Sequence, residues 1–337
     1  MAGHDIIVIG ASAGGVEALR ALVRFLPADL PAALFVVLHV PADAPSVLPR
    51  LLARAGPLPA SHARDGEPIA HGHIYVAPPN CHMLVKRGRI ALSSGPRENG
   101  HRPAVDPLFR SAAAAFGPRV VGVVLSGNLD DGTAGLQAIK RQGGTALVQD
   151  PEEAHYVGMP TSAIGNVAVD EVLPIQKLAA ELVRLAAEPV PEDRPLVTEE
   201  MEEELDVVEI IEQPPGDDPP GRASGFTCPE CHGALFELRD GVLVRYRCRV
   251  GHAFGIDALA AEQARYLETA LWTALRALEE SAEFARRMAE RYERSGAEER
   301  AARYVARAQE VEARAELIRD LLRAGSIPVA EVEESEA

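Results

Sequence analysis

Aromatic side chains are scarce in this sequence, at 4% of its residues, so any core must be built from Leu, Val, Ile and Ala. Long apolar runs are missing too. None approaches the ~18 residues that a membrane-spanning helix needs, so no membrane insertion is expected. Positive charge is outweighed, with 34 Lys and Arg against 50 Asp and Glu and a net charge of -16. A nucleic acid or an anionic membrane would need a basic surface, so neither is expected as a partner. Only four cysteines occur, and three of them cluster, which argues against a disulfide framework and for a metal site. No basic segment precedes the first apolar run, so no signal peptide is expected and the chain reads as cytoplasmic.

What the sequence does have is 47% hydrophobic residues over 337 positions, enough for two or three domains. Residues 1–189 alternate apolar runs with helical patterns. Strands are expected at Asp5–Ile9, Ala33–Leu38, Ile74–Ala77, Val120–Leu125 and Thr145–Val148. Helices are expected at Val16–Phe25, Ser46–Ala55, Pro107–Phe116, Thr133–Gln142 and Ile175–Ala187. Wholly apolar strands such as VVGVVL suit a parallel sheet covered on both faces. The fold class is therefore α/β, a doubly wound and mostly parallel sheet. A hairpin is expected around Arg87-Gly88.

Residues 190–224 turn to Pro, Glu, Asp and Gly. Between Glu192 and Asp218 twelve acidic residues stand against one basic residue, Arg194, which reads as an extended linker. Leu205, Val207, Val208, Ile210 and Ile211 interrupt it and could form a short docking element. Residues 225–255 form a small Cys/His unit. Residues 256–326 read as two helices broken at Ser295-Gly296, an antiparallel hairpin, and 327–337 as an acidic tail. The expected seam of the first helix is Leu267, Leu271, Ala274, Leu278, Ser281, Ala285, Met288 and Tyr292. That of the second is Ala301, Tyr304, Ala308, Val311, Ala315, Ile318 and Leu322. These stripes could simply bury each other, or serve docking or self-association.

Gly10-Ala11-Ser12-Ala13-Gly14 follows the first strand with the G-x-S-x-G spacing of a nucleophile elbow. Small flanking residues leave room for a sharp strand-to-helix turn, and the helix N-terminus offers free N–H groups for an oxyanion. A phosphate-binding loop or a plain helix cap would also fit. The spacing is neither G-x-G-x-x-G nor a Walker A loop. A serine nucleophile needs a base and a carboxylate. His39 ends the run ALFVVL, and Asp130-Asp131 follows VVGVVLSGNL. Three strands would thus deliver Ser, His and Asp to the carboxyl edge of one sheet, where α/β folds gather their ligands. The order Ser, His, Asp differs from that of α/β-hydrolases.

VIGASAGG, VVLHVPA, IYVAPPNCHM, HRPAVDPLFRSAA, LSGNLDDGTAGL and VGMPTSAI occur in that order. Together they resemble the catalytic domain of the CheB-type chemotaxis protein-glutamate methylesterases, over roughly residues 5–185. The resemblance implies hydrolysis of glutamate γ-methyl esters on chemoreceptor helices, with deamidation of receptor glutamines as a second activity and no cofactor for catalysis. It implies Ser12 as nucleophile, His39 as general base, and Asp131 rather than Asp130 as the acid, because the family's acid immediately precedes a glycine. It also implies the Ala13 N–H as an oxyanion donor. Two positions depart from the family, Ala13 where Thr is common and Asn128 where Met is common. Many members begin with a receiver domain. None is seen here, so control by one in cis is not expected.

Cys228-Pro-Glu-Cys231 followed by Cys248 and His252 is a zinc-ribbon-like ligand set, with a hairpin expected around Asp240-Gly241. Four protein ligands leave no open position, so the zinc would be structural. His232 lies close by in sequence, and Cys81 stands alone as a small buried residue. Phe226, Phe236, Tyr246 and Phe254 would pack the miniature core. Arg239, Arg245, Arg247 and Arg249 supply some basic charge on this face, which leaves nucleic acid as a minor alternative. The leading expectation is a serine esterase or amidase acting on receptor glutamate side chains. The alternatives are a signalling-array scaffold with vestigial activity and a nucleotide-binding domain.

Overall fold

The sheet is wound outward from its first strand in both directions. In the computed structural model, β1 (Ile6–Ala11), α1 (Gly15–Arg24), β2 (Ala33–Leu38), α2 (Leu48–Ala55), β3 (Ala60–His62) and β4 (His73–Val76) build one half. An antiparallel hairpin, β5 (His82–Lys86) and β6 (Arg89–Ser93), then precedes α3 (Val105–Phe116). The other half comprises β7 (Val120–Val124), α4 (Thr133–Arg141), β8 (Thr145–Gln149), α5 (Gly158–Asn166), β9 (Glu171–Leu173) and α6 (Ile175–Ala187). The structure describes residues 3–42, 46–190, 205, 208, 220–241 and 243–324.

The strand order is β3-β4-β2-β1-β7-β8-β9, and every pairing is parallel. β1 lies at the point where the winding reverses, which leaves a crevice beyond its carboxyl end. Alternation along β1 feeds two cores. Ile7 and Ile9 face a layer holding Leu19, Leu22, Leu52 and Leu182, while Ile6 and Val8 face Leu108, Phe109, Leu136 and Ile139. All six residues of β1 are buried, as are all six of β2. The five expected strands and five expected helices all form. The short β3 and β9, and α5 with its internal Pro and two Gly, carry too little periodicity to be read in advance.

The chain divides into two units, Met1–Leu259 and Ala260–Ala337. The first also contains a second sheet, β10 (Arg222–Thr227), β11 (Ala234–Asp240), β12 (Leu243–Cys248) and β13 (Ala253–Phe254), in that order. Its core is Cys228, Leu235, Cys248, Phe254 and Leu259. Of the apolar residues interrupting the acidic segment, Val208 is buried and its carbonyl accepts from Ser93 Oγ. Leu205 is half-buried, and Val207, Ile210 and Ile211 lie outside the described residues.

The second unit is helical. α7 (Ile256–Arg294) enters it, and α8 (Glu298–Arg323) returns after Gly296, which sits at φ 75°. Tyr292 stacks on Tyr304 at 5.6 Å, and Arg319 reaches Glu279 at 2.8 Å, so the two helices are antiparallel. Ala301, Ala308, Val311 and Ala315 of α8 are buried as expected. The α7 seam is met only in part: Ala285 is buried as expected, Leu275, Ala282 and Ala289 are buried outside the expected set, and Leu267 is exposed. The exposure of Leu267 follows from length. α7 has 39 residues and α8 only 26, so the early turns of α7 run past the end of their partner. Among the described residues no helix is long and apolar enough to cross a membrane.

Phe35 in β2 is among the largest fully buried side chains and stacks on Tyr75 at 5.4 Å. Phe35→Ala should lower the unfolding free energy by about 3–5 kcal/mol in urea titrations, with the slope of the transition unchanged.

Candidate active site

Three adjacent strands end within one rung of each other. Ala11 of β1 pairs with Leu38 of β2, and Gly10 with Val124 of β7. Backbone bonds then continue past the strand ends: His39 N donates to Ala11 O, and Ser12 N donates to Ser126 O at 3.0 Å. Ser12 and His39 are thereby fixed next to each other by the ladder itself. The elbow depends on small residues. Gly14 caps α1 in the left-handed region at φ 71°, and a Cβ on Gly10 would lie 2.3 Å from Val105.

The structure brings Ser12, His39 and Asp131 together. Ser12 Oγ lies 3.1 Å from His39 Nδ1, and His39 Nε2 lies 2.7 Å from Asp131 Oδ2. An ionised carboxylate only accepts, so Nε2 carries the proton and Nδ1 is left to accept from the serine hydroxyl. The His39 side chain is 6% exposed and that of Asp131 2%, while Ser12 is partly open to solvent. Ala13 follows at the helix entrance, its carbonyl accepting from Ser126 Oγ at 2.8 Å.

Asp131 is the most heavily supported group of the site. Besides His39, its Oδ2 accepts from Val105 N at 2.7 Å. Its Oδ1 accepts from Asn99 Nδ2 at 2.8 Å and from Asp106 N at 3.2 Å. Val105 and Asp106 open α3, so the carboxylate sits on a helix N-terminus, where an anion is favoured. Although burial works the other way, the His39 hydrogen bond and charge, with the N–H donations, hold Asp131 well below the usual carboxylate range.

Asp106, within α3, does the reciprocal job for α4. Its Oδ1 accepts from Gly132 N at 3.1 Å and Gly135 N at 2.6 Å, and Asn99 Nδ2 reaches its Oδ2. Each helix is thus capped by the carboxylate belonging to the other's start. Burial first, and then the facing Asp131 charge, raise Asp106 to about 8. The pair therefore shares one negative charge, and that charge stays on Asp131, the member facing His39. Neighbouring His82 is fully buried, donates Nε2–H to Pro96 O at 2.9 Å, and is held neutral by desolvation.

Asp130 points elsewhere, accepting from Asp257 N at 3.1 Å and Ala258 N at 3.2 Å at the start of α7. Burial and the Asp257 charge push it up to about 7, against those two N–H donations. His101 lies flat on His39, with centroids 3.8 Å apart and planes 17° off parallel, and its Nδ1 donates to Asn99 O at 2.6 Å. Asn99, His101 and Asp106 were not singled out in the sequence. The available signal was the Asn99-Gly100 dipeptide, a turn mark, beside the polar members of HRPAVD.

The four cluster residues also converge. Cys228 Sγ and Cys248 Sγ lie 3.8 Å and 3.5 Å from His252 Nδ1, and Cys231 Sγ lies 3.6 Å from Cys248 Sγ. All four ligand atoms fall within 4.8 Å of one another. Tetrahedral zinc with bonds of ~2.3 Å to sulfur and ~2.0–2.1 Å to nitrogen requires edges of this size, so the donors fit the metal. Cys228 donating to Cys248 pulls the Cys248 thiol down and pushes Cys228 up. His232 stands at φ 60° in the adjoining turn, outside the set. Cys81 is a half-buried free thiol.

Comparison with known proteins places this geometry in context. The sequence pattern of the family described as CheB methylesterase matches residues 7–182. A provisionally named protein-glutamate methylesterase/protein-glutamine glutaminase of Leptospira interrogans is 38% identical over 183 residues, covering 54% of this chain and 95% of that protein. Protein-glutamate methylesterase/protein-glutamine glutaminase 1 of Xanthomonas campestris pv. campestris is 41% identical over 187 residues, covering 54% and 52%. This chain thus spans about half the length of the Xanthomonas relative. The crystal structure of the Thermotoga maritima CheB methylesterase catalytic domain matches with a TM-score of 0.52 at 34% identity, covering 55% of this chain and 100% of that domain.

The proton on Asp106 has a consequence for stability. Between the ordinary carboxylate value of 3.8 and about 8, the native state holds a proton that the unfolded chain has lost. Native stability therefore falls as pH rises through that window. Asp106→Asn lacks this linkage, so its stability relative to the unsubstituted chain should improve steadily from about pH 4 to pH 8. Thermal unfolding of both proteins at several pH values checks this, and a constant difference would contradict it.

Proposed function

The chain belongs to the CheB methylesterase family, and from that premise we propose that it is a cytoplasmic serine hydrolase that removes methyl groups from glutamate γ-methyl esters of chemoreceptors. Deamidation of receptor glutamines by the same route is part of the proposal. The observation that carries it is the continuous hydrogen-bonded series from Ser12 through His39 to Asp131 at a sheet edge.

In this reading Ser12 Oγ attacks the ester carbonyl while His39 Nδ1 takes its proton. The imidazolium that forms is held by Asp131 through the Nε2–H bond, which also fixes the tautomer beforehand. The tetrahedral oxyanion turns toward the Ala13 N–H at the start of α1, where the helix dipole favours negative charge. His39 then returns its proton to the departing methoxide, and methanol leaves. Water, deprotonated by the same nitrogen, releases the glutamate. For a glutamine side chain the leaving group is ammonia. His101, stacked on His39, limits how far the ring can tilt between the two halves of the reaction.

Residues 228–252 are proposed to hold a structural zinc through Cys228, Cys231, Cys248 and His252. It would cross-link a unit too small to fold on apolar burial alone, and catalysis itself requires no cofactor. The second unit is proposed as the docking or self-association element. Trp272, Phe284, Leu317 and Leu321 stand exposed on its two helices, which supports that role.

Receptor carrying labelled methyl esters should release methanol on incubation with the protein. Ser12→Ala should reduce the rate by ~10⁴-fold or more and Asp131→Asn by about 10⁴-fold, with folding retained. Release undiminished in Ser12→Ala would overturn the serine mechanism.

A further inference from the structure

The edge strand of the Cys/His unit does not end at that unit's border. In β13, Ala253 O accepts from Asn99 N at 2.7 Å, and Ala253 N donates to Arg97 O at 3.4 Å. Ala253 and Glu98 thereby form a bridge. Residues 98–101 make a two-residue hairpin turn closed in both directions, Glu98 N to His101 O and His101 N to Glu98 O. Asn99 at φ 51° and Gly100 at φ 74° occupy its left-handed positions, as such a turn requires. The buried Arg110–Glu98 pair anchors the turn from the catalytic side at 2.5 Å. Arg97 faces Glu230 of the Cys-Pro-Glu-Cys turn at 3.6 Å.

The Asn99 side chain is committed on both ends. Its Oδ1 accepts from Gly255 N at 2.8 Å, and its Nδ2 donates to Asp131 and Asp106. A flipped amide would set its NH₂ against the Gly255 N–H and its oxygen against the Asp131 carboxylate, so only one orientation is allowed. On the other side of Asp131, its chain neighbour Asp130 receives the first N–H groups of α7. The unit therefore grips the turn that holds Asp131 and also the residue preceding it. Ala253 directly follows the cluster residue His252, so one peptide bond separates the proposed metal cross-link from this contact.

We propose that the Cys/His unit is a clamp on the catalytic acid, with Asn99 as the positioning residue through which the metal-held fold fixes Asp131. This rests on the serine-hydrolase reading above. Loosening the unit would release Gly255 and Ala253, leave the Asn99 amide free to rotate, and remove one donor from Asp131 Oδ1. Asp131 would then be a stronger base and less well aimed at His39. The groups around it are His39, His101, Asp106, Asp130 and, through the turn, Glu98 with Arg110.

The test uses the full chain and needs no receptor. Gly255 abuts the Asp130 carboxylate, where a Cβ would fall 2.1 Å from Oδ2, so Gly255→Ala wedges the unit away while sparing the serine, the histidine and all four cluster residues. Labelling of Ser12 by a fluorophosphonate should slow about 10- to 100-fold in Gly255→Ala, the scale of losing an outer partner that orients a site. The acid limb of its labelling-rate profile should move to higher pH, a shift that a general loss of folded protein would not produce. Removing bound metal with a chelator should slow labelling comparably, and Zn²⁺ should restore it in the original chain but not in Gly255→Ala. Arg239→Ala, an exposed residue on β11, should label at the original rate. Asp130→Ala, which removes the helix contact without adding bulk, provides a second variant should Gly255→Ala fail to fold. If the metal-loaded chain is not labelled at Ser12 at all, the hydrolase reading fails. If it is labelled, and the folded variants and the metal-stripped chain are labelled as fast with an unmoved acid limb, the clamp fails.

Discussion

A single negative charge buried at Asp131 organises the catalytic half of this molecule. Such a charge is tolerable only with several well-aimed donors. Here they come from four places: the His39 ring, the first two N–H groups of α3, and the Asn99 amide. Two of the donors belong to one helix end, that of α3, which returns the service by presenting Asp106 to the start of α4. The helices are thus locked to the sheet edge by polar contacts where apolar packing ends.

The same arrangement explains why two buried carboxylates can sit side by side. Asn99 bridges them, and Asp106 holds a proton so that only one charge is present. Keeping that charge on Asp131 leaves the histidine in the tautomer whose Nδ1 faces the serine. Asp130 and Asp131, neighbours in sequence, serve opposite directions. One faces His39 and the other receives a helix from beyond the catalytic half. In a loop leaving a buried strand, successive side chains diverge, so a pair of aspartates can join two parts of a protein at one point.

The cores illustrate how little freedom the apolar pattern leaves. Strands such as IIVIGA and ALFVVL are buried on both faces, so they fit only the middle of a covered parallel sheet, and that is where they lie. The helical hairpin is less constrained. Its small alanines pack closely, but α7 outruns α8, and the heptad pattern continues past the last residue with a partner. Periodicity reports a face that can be buried; only the length of the partner says where burial stops.

By itself the sequence determined the α/β class, the elbow at Ser12, the histidine and aspartate at the ends of two further strands, and the four residues of the Cys/His cluster. These are legible because each rests on local chemistry: an apolar run, a glycine turn, or a fixed ligand spacing. Tertiary structure alone decided that β2, β1 and β7 are neighbours, which makes those three residues a single hydrogen-bonded series. It also decided the parts played by Asn99, His101 and Asp106, and the seating of the Cys/His unit against the Asp131 loop. Those depend on contacts between residues up to 156 positions apart, such as Gly255 with Asn99. No periodicity or spacing encodes such pairs, because a hydrogen bond across a fold is set by where whole elements pack and not by the residues beside it in the chain.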